Sequence, residues 1–144
     1  MSEWSQKMAN KLRKREESQQ VSDAKFVEMQ KMKREIGPRL WQAVKSDVLA
    51  EGKALNLEYG KEVVTIETTP ANELILRAKV EDSSRRLHVG FDSESAQITW
   101  NGPSGMDEKF EFAIGTDHKP AFYSGMVPYS TGSIARQILE TLLD

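Results

Sequence analysis

Residues 73–101 read ELILRAKVEDSSRRLHVGFDSESAQITWN. Leu74, Leu76, Ala78 and Val80 share one parity, and Ile75, Arg77 and Lys79 the other. After a turn, Leu87, Val89 and Phe91 alternate with Arg86, His88 and Gly90; after another, Ile98 and Trp100 alternate with Gln97, Thr99 and Asn101. Successive side chains of a strand point to opposite faces, so one apolar parity predicts strands with a single buried face. One-sided burial is the habit of antiparallel sheets. The connections agree: Glu81-Asp82-Ser83-Ser84 and Asp92-Ser93-Glu94-Ser95 are rich in turn formers and too short for a crossover helix.

Working outward, Phe110, Phe112 and Ile114 alternate with Lys109, Glu111 and Ala113, and Thr69-Pro70-Ala71-Asn72 and Gly102-Pro103-Ser104-Gly105 supply further turns. The expectation is an antiparallel β-meander of five to six strands over residues 63–123. Met126-Val127-Pro128-Tyr129 reads as a linker after it. Ser130 or Thr131 is then a candidate N-cap for a helix over 131–143, with Ile134, Ile138, Leu139 and Leu142 on one stripe.

On the N-terminal side, Leu40, Trp41, Val44, Val48, Leu49 and Leu55 recur at helical spacing and predict a helix over 38–57. Pro38 suits a first helical turn, where its missing N–H costs nothing, so a break or kink is expected at Ile36-Gly37, with Gly52 as an internal weak point. Residues 3–35 lack Gly and Pro and are dominated by good helix formers. The fold class expected is therefore α+β: a helical arm over 1–36, then a domain over 37–144 with two helices packed on one face of the meander.

The 144 residues suffice for one domain with a real core. There is no cysteine, which excludes disulfides and thiolate metal sites and is compatible with a reducing compartment. No stretch approaches transmembrane length and Met1 to Glu17 holds no apolar run, so a cytoplasmic protein is expected. The net charge of −2 is split: residues 1–35 hold nine Lys/Arg and six Asp/Glu, and residues 36–144 hold eleven and sixteen. Such asymmetry marks either a solvated helix or an arm that meets a partner.

The residues offer little chemistry. His88 falls on the polar parity of its strand among Arg77, Lys79 and Arg86, with no group placed to orient it as a general base. His118 lies in Thr116-Asp117-His118-Lys119-Pro120, which reads as a turn. Neither HxH nor HxxxH spacing occurs, and the carboxylates follow no calcium-loop pattern. GxGxxG, GxxxxGK[ST] and GxSxG are missing as well. No catalytic residue, metal or cofactor is assigned, and an enzyme is disfavoured.

Two surfaces remain. On the arm, Trp4, Met8 and Leu12 form a narrow stripe, and Phe26 and Met29 with Met32 also need cover. Apolar residues this sparse bury little surface on their own helix, and Met is common at adaptable binding surfaces. Glu3, Glu16 and Glu17 weigh against a membrane-surface helix. The leading expectation is a non-enzymatic module that binds a protein partner or itself, partly through Trp4, Met8, Leu12, Phe26 and Met29. The second surface is the polar sheet face with Arg77, Lys79, Arg86 and His88. Single-stranded RNA would need stacking aromatics beside that charge, and Phe91, Trp100, Phe110 and Phe112 have the opposite parity. A ligand or enzyme pocket between helices and sheet is the alternative reading, and RNA binding the third.

Overall fold

A computed structural model describes residues 2–101 and 107–144. The chain divides into two compact units, Met1–Met32 and Lys33–Asp144. The elements are α1 (Glu3–Tyr59), β1 (Val64–Thr69), β2 (Glu73–Val80), β3 (Ser83–Asp92), β4 (Gln97–Asn101), β5 (Asp107–Ile114), β6 (Pro120–Ser124), β7 (Val127–Tyr129) and α2 (Thr131–Leu143). The first unit is built from α1 alone. The second holds the remainder of α1, the sheet and α2.

The strands form one sheet in sequence order, and each pairs antiparallel with the next. The meander is the one that the alternation predicts, but among the described residues it has seven strands rather than five or six and reaches Tyr129 rather than Tyr123. The added strand, β7, is the stretch that composition reads as a linker. Pro128 masks it, because proline cannot donate to a ladder; on an edge strand that loss is tolerated. Its signal is Gly125, which at φ 62° opens a two-residue Gly125-Met126 loop between the paired Ser124 and Val127. The Gly102–Gly105 turn lies outside the described residues.

The strand phase is as the sequence predicts. Leu74, Leu76, Leu87, Val89, Phe91, Ile98, Trp100, Phe110 and Phe112 are buried, whereas Arg77, Lys79, Arg86 and His88 are exposed. Both helices of the second unit cover this apolar face. Trp41 of α1 stacks on Phe91 at 5.5 Å between ring centroids, and Trp100 Nε1 donates to Thr141 Oγ1 of α2 at 3.4 Å. The helices also meet each other: Thr131 Oγ1 donates to Asp47 at 2.6 Å, and Arg136 lies 3.9 Å from Glu51. Ser130 is the N-cap of α2, its hydroxyl accepting from Ser133 N at 3.1 Å. Trp41, Leu76, Val89, Trp100, Phe112, Ile138 and Leu142 all lie in the core.

The expected helix break at Ile36-Gly37 does not occur. α1 runs through Gly37 and Pro38, and the helix expected over 38–57 is the C-terminal part of a 57-residue element. Its buried positions explain why. They are Gly37, Trp41, Val44, Val48 and Gly52, a spacing of four, three, four and four, while Leu49 is exposed. Both glycines therefore face the sheet. A Cβ on Gly37 would stand 3.1 Å from the Ala96 methyl, and one on Gly52 would stand 2.8 Å from Ile66 Cδ1. Burial of the Trp41–Val48 stripe outweighs the roughly 3 kcal/mol that an interior proline costs. Gly52, expected as a weak point, is a buried position of the helix that faces Ile66 of β1. Past it, Asn56 ties the end of α1 to β1: its Oδ1 accepts from Val63 N and Val64 N, and its Nδ2 donates to the Val64 carbonyl, at 2.9–3.0 Å.

Candidate functional site

The first surface is the helix of residues 3–32. Ser2 caps it, its hydroxyl accepting from Ser5 N at 3.2 Å, and Glu3 in the first turn complements the helix dipole. At 3.6 residues per turn, Trp4, Met8 and Leu12 climb one face, and Phe26, five turns above Met8, returns to it. Trp4 is 71% exposed, Leu12 53% and Phe26 64%, while Met8 and Met29 are half-buried. Arg15, Gln19 and Ser22 hold the same face between the two groups, all exposed. The stripe thus consists of two apolar patches centred about 27 Å apart along the axis, at about 1.5 Å per residue. Around them the charge is concentrated: Lys7, Lys11, Arg13, Lys14 and Arg15 follow one another with no acidic residue between them. None of the ion pairs among the described residues lies in residues 2–32.

The second surface is the solvent face of β1–β3. The register sets Arg77 directly across from Arg86, Thr65 across from Arg77, Lys79 across from Ser84, and Ile75 across from His88. The four predicted polar-face residues are therefore neighbours. Glu67 takes Arg77 at 3.3 Å, and Lys109 is drawn away to Glu111 at 2.6 Å. Arg85, which sequence reading passed over, turns to the other face and donates to the Leu142 carbonyl at 3.4 Å, near the C-terminus of α2. Phe91, Trp100, Phe110 and Phe112 point into the core, so this part of the face offers no aromatic on which a base could stack.

A third feature is an open cavity of about 630 Å³ where α1 ends, lined by Leu55, Tyr59, Val63, Val80 and Leu143 and by the charged Lys61, Glu62, Lys79 and Glu81. Sequence reading could anticipate such a pocket between helices and sheet but not its lining, because Tyr59 and Leu143 belong to no alternating or helical stripe. His118 sits in the β5–β6 turn with φ 60°, a left-handed conformation that histidine adopts more readily than most residues. Among the described residues, no three His, Cys, Asp or Glu side chains gather as metal ligands, and no helix is long and apolar enough to cross a membrane. No known protein family, curated protein or solved structure matches the chain.

Proposed function

We propose that the protein is a non-enzymatic interaction module that binds a protein partner or a second copy of itself, acting partly through residues 3–32. The observation that carries this reading is the exposure of Trp4, Leu12 and Phe26 on one face of a regular helix. Isolated helices gain little from propensity alone; their stability comes from packing an apolar face. Two patches some 27 Å apart suit a partner that runs alongside the helix, as in helix-in-groove or coiled-coil recognition. The cysteine-free composition is compatible with a cytoplasmic setting for this interaction.

The test uses the full chain with Trp4 and Phe26 both replaced by Glu. Self-association is read by sedimentation across a concentration series, and a heterologous complex by quantitative binding once a partner is in hand. The variant is expected to lose the complex and keep its thermal melt. A complex that survives both substitutions would move the interface onto the sheet domain. A second reading, a small-ligand or enzyme pocket, is supported by the cavity at Leu55, Tyr59 and Leu143. It requires a ligand that raises the melting temperature of the wild-type chain but not of Leu143→Trp.

A further inference from the structure

We propose that the solvent face of β1–β3 is a binding site for a phosphate group, held by Arg77, Arg86 and Lys79. The starting point is the register. Arg77 and Arg86 are directly opposed across two strands, and Lys79 and His88 occupy the diagonal positions around that pair. Like charges directly opposite one another destabilise a sheet, and diagonal neighbours remain within reach of long side chains. The surrounding carboxylates do not relieve this: only Glu67 forms an ion pair here, with Arg77 alone. Arg86 and Lys79 have no ion-pair partner among the described residues.

Arg77, Lys79 and Arg86 line an open cleft of about 430 Å³, together with Thr65, Ser84 and Glu62. Two guanidinium forks, an ammonium and two hydroxyls offer many donors, against which the competing anions are Glu67, paired with Arg77, and Glu62 of the lining. Multiply charged tetrahedral oxyanions are the ligands that use such a set fully, because guanidinium binds phosphate oxygens in pairs. The absence of an exposed aromatic in this part of the face separates the proposal from recognition of a single-stranded nucleic acid, which takes much of its affinity from base stacking. A phosphorylated small molecule and a lipid headgroup present the same phosphate chemistry to this donor set.

The full-length chain is titrated with pyrophosphate at constant ionic strength, with amide and arginine Nε–H shifts recorded. Saturable shifts confined to β1–β3 are expected. Arg77→Gln and Arg86→Gln should each weaken binding about tenfold, the usual effect of deleting a hydrogen bond to a charged group. Without phosphate, Arg86→Gln should raise the melting temperature, because it removes the opposed charge. Flotation with vesicles of phosphatidylserine in phosphatidylcholine assigns the source: binding there that pyrophosphate displaces favours a lipid headgroup, and its lack favours a small phosphorylated molecule. Shifts that sodium chloride reproduces, or that persist in the Arg77→Gln, Arg86→Gln double variant, overturn the site. An RNA oligonucleotide that binds more than a hundredfold tighter than pyrophosphate overturns it in favour of nucleic acid.

Discussion

Trp4 and Trp41 belong to the same helix, yet the first is 71% exposed and the second 1%. Neither local propensity nor helical periodicity separates them: Trp4 is followed by Met8 and Leu12, and Trp41 by Val44 and Val48. The difference lies in what continues each stripe. Beyond Leu12 the face passes to Arg15, Gln19 and Ser22, and the apolar stripe is interrupted until Phe26. Around Trp41 the face is continued by Gly37 and Gly52, which add no apolar area but let the helix backbone approach Ala96 and Ile66. A buried helical face therefore needs small residues where the backbones meet as much as large ones between them, since interiors are close-packed. Residues 3–32 have a stripe without such contacts, which is the pattern expected of a surface awaiting a partner.

The largest effect that tests this contrast is truncation of the two tryptophans. Trp41→Ala removes a fully buried ring stacked on Phe91 and should cost about 3–5 kcal/mol. Trp4→Ala should stay within about 0.5 kcal/mol in the uncomplexed chain, as exposed substitutions do. Trp41→Phe sharpens the point, because Trp41 Nε1 is buried without a hydrogen-bond partner and its loss leaves no acceptor stranded. It should cost clearly less than alanine. Urea denaturation of the three variants is the measurement. Equal losses for Trp4→Ala and Trp41→Ala would dissolve the comparison.

A smaller effect separates the two glycines. In an exposed helix, Gly→Ala stabilises by about 1 kcal/mol. At Gly37 the added methyl would meet Ala96, whose position is fixed because its carbonyl accepts from Phe112 N at 3.0 Å. Overpacking of this kind costs about 1–3 kcal/mol, so Gly37→Ala should be destabilising by about 1 kcal/mol net. At Gly52 the obstacle is the end of the Ile66 side chain, which can rotate away. Gly52→Ala should lie within about 0.5 kcal/mol of neutral, propensity offsetting the repacking. Melting curves that rank the two the other way round would show that Ala96 yields more easily than Ile66.

These glycines also mark the limit of what the sequence makes legible. The sheet was readable because a period of two repeats through Leu74–Val80, Leu87–Phe91 and Phe110–Ile114, and short turns force neighbours in sequence to pair. α2 was readable from Ser130 and a four-one-three stripe. Gly37-Pro38 misled because local rules count the missing N–H and the flexible backbone but not the Ala96 methyl on the opposing surface. β7 was missed for a related reason: Pro128 argues against a strand, and only the paired β6 makes it an acceptable edge. On the functional side, the parity that exposes Arg77, Lys79, Arg86 and His88 was evident, but the direct opposition of Arg77 and Arg86 depends on a register set by the Glu81-Asp82 turn. The cavity beside Leu143 joins residues nearly ninety positions apart and had no local signature.

A comparably small effect on stability is expected from removing the first unit together with Lys33 and Arg34. A chain beginning at Glu35 keeps every buried residue of α1, from Gly37 to Gly52, together with the Asn56 bonds to β1. It loses Trp4, Leu12, Val21, Phe26 and Val27, all more than half exposed. The cut also moves Pro38 from the interior of a long helix into its first turn, where the absent N–H has no helical acceptor to satisfy. That gain acts against the fraying of a new terminus, which has lost the cap at Ser2. The truncated chain should therefore melt cooperatively, keep its near-ultraviolet circular dichroism, and differ in stability by no more than about 1 kcal/mol, the scale of a helix cap. Any complex formed by the full chain should disappear with the segment. Loss of cooperativity would mean that residues 3–32 belong to the core after all. A complex retained by the truncated chain would leave the fold contrast standing while removing its functional meaning, because the two patches at Met8 and Phe26 would then have no partner to explain their exposure.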